Sequence, residues 1–318
     1  MILHNDKDAF RVLLERISTE TGHREDVLEK DYYVTLILKE LSTLQEEGLP
    51  AYFKGGTALY KALKKTNRFS EDIDLSVDTR CCSRTQNDRR LEQATKKYKS
   101  LKRDAEQGIT NRSEVIQIYL YDSVTSFDKD DALQRFGRVK IEATSFTISE
   151  PVDSFEIAAL IYEAADDETQ AILRDKYEVA PFNIQAISLE RLFVDKLFAA
   201  ESYTRKSQEV GRAFEAAKHI YDLSVMADLD LVKNLMNDKP KLSELFDIRI
   251  EEEKERLDGI PGVMPKEFTF FDDIASSEPV ARAYEIMQNQ YVLLDEDRIS
   301  FAKAVEKMKE LKQIIFPI

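Results

Sequence analysis

Cysteine and histidine are scarce in this sequence, which has two cysteines and three histidines in 318 residues. Cys81 and Cys82 are adjacent, and neighbouring cysteines cannot close a useful structural loop, so no disulfide framework is expected and the chain suits a reducing cytoplasm. With so few thiolates and imidazoles, a zinc site is not expected. Any metal would instead be held by carboxylates, which favours Mg²⁺ and also suits Mn²⁺.

Glycine and proline are also few, at nine and eight residues, which indicates much helix and few tight turns. No apolar run approaches the ~20 residues that a membrane-spanning helix needs, and the first residues lack a signal-peptide pattern. We therefore expect a cytoplasmic protein with no membrane partner. Hydrophobic residues make up 43% and charged residues 33%, which fits a soluble globular protein of about two domains.

The net charge of −14 excludes a uniformly basic nucleic-acid-binding protein but permits a local basic surface. One segment, residues 80–103, has nine Lys or Arg residues and two acids, for a local charge of +7. Such a segment is suited to gripping the phosphate backbone of an RNA. It equally suits a solvated helix or a docking face for an acidic partner, and the composition does not separate these alternatives.

The hydrophobic pattern predicts an α+β domain over residues 1–185 and a helical domain over residues 186–318. The α+β domain begins with helical spacing between residues 13 and 41. The predicted strands are 51–54, 72–77, 115–121, 139–145 and 179–182. A helix is predicted from Ser188 onward, and further helices at 212–226, 229–236, 241–256 and 279–315.

Two short motifs in the α+β domain are suited to binding a nucleotide. Gly55 and Gly56 follow a predicted strand and precede a helix, so their backbone N–H groups lie where phosphates bind readily. Asp72 and Asp74 stand two residues apart on a strand and share a face, and such a pair repels itself unless a cation lies between the charges.

A third carboxylate would complete a site for two metal ions and phosphoryl transfer. Glu142 is the best candidate, because it stands on the strand predicted at 139–145. Alternation along that strand places Lys140 and Glu142 on one face.

These residues resemble a known family. Lys54-Gly55-Gly56-Thr57-Ala58-Leu59, followed by Arg68-Phe69-Ser70-Glu71-Asp72-Ile73-Asp74-Leu75, closely resembles the signature of AbiEii-type nucleotidyltransferase toxins, which belong to the DNA polymerase β-like nucleotidyltransferase superfamily. The segments 29–33 and 190–197, Arg212 and the segment 220–223 resemble further elements of that family. No family motif is visible in residues 226–318.

The resemblance implies a mixed sheet flanked by helices and a helical C-terminal domain that contributes Lys196 and Asp222 to the site. It implies transfer of a nucleoside monophosphate from an NTP to an RNA, with the tRNA 3′ end as the main candidate. It also implies the toxin of a bacterial toxin–antitoxin or phage-defence system, with an antitoxin partner. A protein or small-molecule acceptor, or a non-catalytic interaction protein with this fold, stays an alternative.

On this reading each motif residue has an expected role. Asp72 and Asp74 hold Mg²⁺ (or Mn²⁺), and Glu142 completes the metal site or helps to deprotonate the acceptor hydroxyl. Lys196 neutralises triphosphate charge, and Asp222 orients Lys196 or a neighbouring base. The expected nucleotide-binding residues are Lys54, Gly55, Gly56, Thr57, Arg68 and Ser70, although Arg68 and Ser70 equally suit bracing of the Asp72 strand. Lys30 and Asp31 are expected on a solvated helix face, with a role in the site as the alternative, and Tyr32, Tyr33 and Tyr60 are expected in the core.

Overall fold

The computed structural model describes residues 2–64, 67–111, 113–126, 136–256 and 259–317. Contacts divide the chain into two units, Met1–Ala186 and Ile187–Ile318. The first unit contains the β-sheet, except for Ile187, together with its flanking helices, and the described part of the second unit beyond Ile187 is mainly helical. The expected α+β class, a mixed sheet flanked by helices with a helical C-terminal region, is confirmed.

The first unit opens with two helices, α1 (Lys7–Thr21) and α2 (Glu25–Glu46). The carboxylate of Asp6 caps α1 by accepting from the backbone N–H of Ala9, and Gly22 ends that helix in the left-handed conformation. Helix α2 is buried through most of its first three turns, including its charged residues. The helical spacing between residues 13 and 41 therefore corresponds to two helices.

The elements that form the site follow directly. Strand β1 (Ala51–Lys54) leads without a linker into helix α3 (Gly55–Leu63), and strand β2 (Ile73–Val77) then pairs antiparallel with β1. Alternate residues of β1 are buried, because its two faces have different surroundings. The predicted strand–glycine–helix–strand order is confirmed.

The sheet has seven strands in the order β3-β4-β5-β2-β1-β7-β6. The other strands are β3 (Lys102–Thr110), β4 (Glu114–Leu120), β5 (Arg138–Thr144), β6 (Val152–Ile157) and β7 (Phe182–Ile187). Strands β2 and β5 are parallel, as are β1 and β7, whereas β3–β4 and β4–β5 are antiparallel. The parallel pairing of β2 with β5 near the centre of the sheet brings Asp74 beside Glu142.

The sequence pattern missed two strands and misplaced a third. Strands β3 and β6 lie at the edges of the sheet and are largely exposed, so they lack the alternation of buried apolar residues on which the prediction depends. The strand predicted at 179–182 begins only at Phe182 and continues to Ile187. The predicted bounds were therefore wrong, because the apolar residues Val179 and Ala180 lie before the strand.

Three helices complete the first unit. Helix α4 (Arg84–Lys96) contains much of the basic segment and begins with a capping box formed by Ser83 and Gln86, while α5 (Leu160–Glu163) and α6 (Asp167–Tyr177) lie between β6 and β7. Helix α4 packs beside β4, β5 and β2, so the basic segment is anchored to the central strands through Leu91 and Ala94, which are buried.

The described part of the second unit beyond Ile187 consists mainly of helices. Ser188 caps its first helix by accepting from the backbone N–H of Arg191. The helices are α7 (Leu189–Arg205), α8 (Arg212–Met226), α9 (Asp230–Asn237), α10 (Lys239–Glu253), α11 (Phe270–Asp273), α12 (Glu278–Tyr291) and α13 (Phe301–Ile315). The segment predicted as helical at 279–315 is interrupted after Tyr291 and resumes at Phe301 with a Ser300 cap. Within the described residues, none of the helices combines the length and apolar character needed to cross a bilayer.

Candidate active site

The register of the central strands sets one row of charged side chains on a single face of the sheet. Asp74 on β2 stands opposite Lys54 on the antiparallel strand β1 and opposite Glu142 on the parallel strand β5. Partners in neighbouring strands present their side chains to the same face. The structure therefore brings together Lys54, Asp74 and Glu142, the first and last of which are 88 positions apart in the sequence.

Lys140 occupies the space between the carboxylates. Its Nζ atom lies 3.0 Å from Oδ2 of Asp72 and 3.4 Å from Oε2 of Glu142. Asp72 precedes β2, and its side chain reaches the same face as Asp74 because the two stand two residues apart. The three acids predicted as metal ligands thus share one basic neighbour that had been assigned no role.

The charges of this cluster perturb each other strongly. Burial raises the pKa of Asp74 to about 6, and the negative charges of Glu142 and Asp72 add to the shift, against the opposing effect of Lys54 and Lys140. Burial alone would lower the pKa of Lys140, but the carboxylates of Asp72, Glu142 and Asp74 outweigh it and hold that pKa above its ordinary value. The site therefore has an excess of negative charge in a half-buried place, which a cation would relieve.

The two glycines are required by close contacts at the start of α3. A Cβ atom at Gly55 would lie 2.1 Å from Oδ2 of Asp74, and the backbone there adopts a φ of +83°. At Gly56 a Cβ atom would lie 2.8 Å from the Ser70 hydroxyl and 2.9 Å from Nη2 of Arg68. Only glycine allows the carboxylate of Asp74 and the segment 68–70 to approach the beginning of the helix so closely.

Thr57 and Ser70 form hydrogen bonds that fix the backbone just before β2. The buried hydroxyl of Thr57 donates to the backbone carbonyl of Asp72 at 2.6 Å and lies at hydrogen-bond distance, 3.0 Å, from the Ser70 hydroxyl. Arg68 is also buried, donates to the carbonyl of Phe69 at 3.2 Å, and stacks on the ring of Tyr60. These contacts fix where Asp72 enters the site, so Thr57 acts on the carboxylate through the backbone.

The segment 29–33 differs from the expectation of a solvated helix face. Lys30 and Asp31 are buried: Lys30 donates to the carbonyl of Arg138, while Asp31 forms a 2.6 Å ion pair with Lys61. Burial lowers the pKa of Lys30 to about 8, although Glu71 and Asp72 oppose that shift. The expected solvated face was therefore wrong. Tyr32, Tyr33 and Tyr60 are in the core, as predicted.

Lys196 and Asp222 lie in the second unit. The Nζ atom of Lys196 on α7 is 2.5 Å from Oδ2 of Asp222 on α8, and both side chains are buried. Asp222 therefore holds the ammonium group of Lys196 in one place. Their expected role toward the triphosphate stays a prediction.

Asp72, Asp74 and Glu142, which we name the acidic row, carry the donor atoms that a metal ion would need. Carboxylate oxygens are the ligands that Mg²⁺ and Mn²⁺ prefer, and Asp72, Asp74 and Glu142 supply them on adjacent strands. The residues therefore fit a hard divalent cation. Over the ranges that the structure describes, no three Asp, Glu, His or Cys side chains are gathered closely enough to hold a metal ion as they stand. Lys140, which lies between Asp72 and Glu142, is the cation that the cluster holds in this arrangement.

Lys140 is the site residue that sequence reasoning missed. The alternation of β5 places it on the face of Glu142, and that signal was visible in the sequence. What the sequence could not show is the parallel pairing of β5 with β2, which puts Lys140 against Asp72. The burial of Lys30 was missed for a similar reason, because the carbonyl that accepts its hydrogen bond is 108 residues away in the sequence.

A comparison with protein-family models identifies the family of the chain. The model of the family described as nucleotidyl transferase AbiEii toxin, type IV TA system, matches residues 37–307. The family match makes the chain a nucleotidyltransferase. The chain belongs to the AbiEii family of nucleotidyltransferase toxins of type IV toxin–antitoxin systems. No curated protein shows significant sequence similarity to it.

Three solved structures resemble the chain at low identity. JHP933 from Helicobacter pylori is 16% identical, with a TM-score of 0.47, over 92% of this chain and 93% of that chain. A putative nucleotidyltransferase from H. pylori is 16% identical, with a TM-score of 0.45, over 91% and 94%. MenT4, a nucleotidyltransferase toxin from Mycobacterium tuberculosis H37Rv, is 15% identical, with a TM-score of 0.42, over 96% and 97%.

Proposed function

We propose that the protein transfers a nucleoside monophosphate from an NTP to a hydroxyl of an RNA, with the 3′ end of tRNA as the acceptor, and that it uses Mg²⁺ or Mn²⁺. The observation that carries the proposal is the row of Asp72, Asp74 and Glu142 beside the Gly55–Gly56 start of α3. This arrangement supplies carboxylates for a cation and free backbone N–H groups for a phosphate within one small region.

The reaction assigns a role to each side chain. The acceptor hydroxyl oxygen forms a bond to the α-phosphorus, the bond to pyrophosphate breaks, and Glu142 or a water takes the hydroxyl proton. Asp72, Asp74 and Glu142 would hold the metal, which when bound neutralises the charge that develops on the phosphoryl oxygens. Lys54 donates to Thr144 at 3.0 Å from the same row and places a positive charge beside Asp74.

The remaining nucleotide-binding residues lie at the start of α3. The first N–H groups of that helix and the positive end of its dipole favour the triphosphate, with Gly55 and Gly56 allowing its approach. Thr57 and Ser70 keep the Asp72 backbone in position. For the buried Lys196–Asp222 pair of the second unit, the role toward the triphosphate stays a prediction.

A transfer assay tests the proposal directly. Purified protein is incubated with total tRNA and each of the four labelled NTPs, with Mg²⁺, with Mn²⁺ or with EDTA. We expect label in the tRNA with at least one NTP, and none with EDTA, because the metal supports the chemistry. Label in added protein or small molecules but not in RNA would favour the alternative acceptors. No label in any acceptor, together with no NTP binding by calorimetry, would favour a non-catalytic interaction protein.

The basic segment supports an RNA acceptor through its exposed side chains. Arg80 pairs with Asp78, and Lys96 with Glu92. The exposed side chains of the segment without a carboxylate partner among the described residues include Arg84, Arg89, Lys97 and Lys102. We name these four residues the basic face. Four uncompensated charges on an acidic protein are suited to the phosphate backbone of an RNA.

Replacing the four residues of the basic face with serine should weaken RNA binding and flatten its salt dependence. If each contacts one phosphate, the slope of log K against log salt should fall by about 3, since a single-strand contact contributes about 0.7. Filter binding of tRNA between low and high salt measures this slope. The matched control replaces four other exposed lysines, Lys7, Lys266, Lys303 and Lys309, and should leave the slope nearly unchanged. An equal drop in both variants would show only a general effect of net charge.

A type IV toxin belongs to a two-component system, so we also propose an antitoxin as a protein partner. The chain itself supplies no DNA-binding motif, so transcriptional control would come from that partner. Co-expression with the neighbouring gene product, followed by a growth assay, tests this part of the proposal.

A further inference from the structure

Lys140 stands where the proposed site needs a cation. Its ammonium group lies 3.0 Å from Asp72 and 3.4 Å from Glu142, so one side chain links the acids contributed by β2 and β5. Lys140 and Glu142 stand two residues apart on β5, so their side chains share one face of the sheet. The parallel register with β2 sets Glu142 opposite Asp74. Three carboxylates within one row repel each other, and Lys140 and Lys54 are the positive charges that act on Asp74.

A divalent metal and this ammonium group compete for the same oxygens. Magnesium binds carboxylate oxygens at about 2.0–2.1 Å and demands near-octahedral geometry. Oδ2 of Asp72 already accepts from Lys140, and Oε2 of Glu142 lies within ion-pair distance of the same nitrogen. Two cations on one oxygen would stand only a few ångströms apart and would repel strongly in a partly buried place. A metal that takes these two oxygens therefore requires the Lys140 side chain to move away.

We propose that Lys140 is a built-in counterion of the acidic row, which the divalent cation must displace, so that this side chain sets how tightly the protein binds metal. The inference rests on the proposed function, because it concerns the same metal site. It makes Lys140 the residue that determines how readily the site takes up a metal. Because of Lys140, the protein binds metal weakly, and its carboxylates stay together in the absence of metal. The flexible four-carbon stem of a lysine permits this movement without a change in the strand.

Metal binding by the full chain tests the inference without any measurement of activity. The probe is Mn²⁺, titrated into metal-free protein and followed by the electron paramagnetic resonance signal of the free ion. Lys140→Met removes the ammonium group, and we expect it to bind Mn²⁺ at least about tenfold more tightly than the unchanged protein. Lys140→Arg keeps a cation in place and should bind Mn²⁺ as weakly as the unchanged protein.

A matched control and a second readout separate this effect from a general loss of charge. Lys64→Met removes a lysine whose partner is Glu156 in an exposed ion pair, and should leave Mn²⁺ affinity unchanged. In EDTA, Lys140→Met should melt at a lower temperature than the unchanged protein, because the acids lose their counterion. Mn²⁺ should then raise its melting temperature by more. Lys140→Gln, which retains a hydrogen-bond donor for Asp72, serves if the methionine variant does not fold.

The possible results distinguish the inference from the function on which it rests. If Lys140→Met and Lys140→Gln bind Mn²⁺ no more tightly than the unchanged protein, the counterion role is overturned while the metal site stands. If no variant binds Mn²⁺, with or without a non-hydrolysable NTP, both the inference and the metal part of the proposed function are overturned. Tighter Mn²⁺ binding with no transfer to any RNA would support the inference and reject the acceptor.

Discussion

Replacing Asp74 with asparagine should abolish nucleotide transfer and, at the same time, stabilise the folded protein. The substitution removes one carboxylate from the proposed metal site, and loss of a single preorganised electrostatic group typically lowers a rate by about 100- to 1000-fold. Stability should rise because burial, together with the charges of Glu142 and Asp72, raises the pKa of Asp74 to about 6. An amide of nearly the same shape carries no such charge.

The stabilising effect of Asp74→Asn has a defined pH window. An aspartate in an unfolded chain ionises near pH 4, whereas Asp74 in the folded protein ionises near pH 6. The folded protein therefore loses stability as the pH rises through this interval, and the asparagine variant does not. The gain should be close to zero at about pH 4 and reach about 1–3 kcal/mol above about pH 7. Urea unfolding in EDTA at several pH values measures it.

Asp78 offers a matched control for this change, since it is an aspartate that directly follows β2. The hydrogen bond from Arg80 lowers the pKa of Asp78, so Asp78→Asn should decrease stability at neutral pH, opposite in sign to Asp74→Asn. It should also leave most of the transfer activity. Asp72→Asn should abolish transfer like Asp74→Asn. Transfer retained by either Asp72→Asn or Asp74→Asn would refute the metal assignment.

The second large effect is expected in the helical unit, where Arg249 is buried among acids. Arg249 is 3% exposed and lies 2.8 Å from Glu252 and 2.6 Å from Glu253, which are both 2% exposed. Arg191 also reaches Glu252, at 2.8 Å. Arg249→Met leaves Glu253 buried without its main cation, and removing one partner of a buried pair costs about 3–5 kcal/mol. We expect the melting temperature to fall by about 10 °C.

Two variants check that the loss comes from buried charge. Arg282→Met breaks an ion pair with Glu278 whose two side chains are each 74% exposed, and should change stability by less than about 1 kcal/mol. Adding Glu253→Gln to Arg249→Met removes the stranded carboxylate and should restore part of the stability. If the double variant melts lower than Arg249→Met alone, the loss comes from packing of the arginine stem and not from charge.

The central strands and helices α7 to α10 of the second unit were predictable because their patterns are local. Strand β1, the glycines and β2 follow one another within 27 residues, and helix α8 begins and ends where the apolar spacing indicated. Strand β3 was not predictable, since it is a polar edge strand held by backbone pairing with β4. The burial of Lys30 was equally hidden, because its surroundings come from β5.

The sequence by itself determined the chemical inventory of this protein: paired glycines, an Asp-X-Asp motif, a later acid on a strand, and a basic segment in an acidic chain. These are properties of neighbouring residues, so periodicity and residue type suffice to find them. Only the tertiary structure decided that Glu142 stands opposite Asp74, that Thr57 holds the Asp72 backbone, and that Lys140 lies between two acids. The physical reason is strand register, because a contact across a sheet depends on which strands pair and at which residue, and local sequence does not specify either.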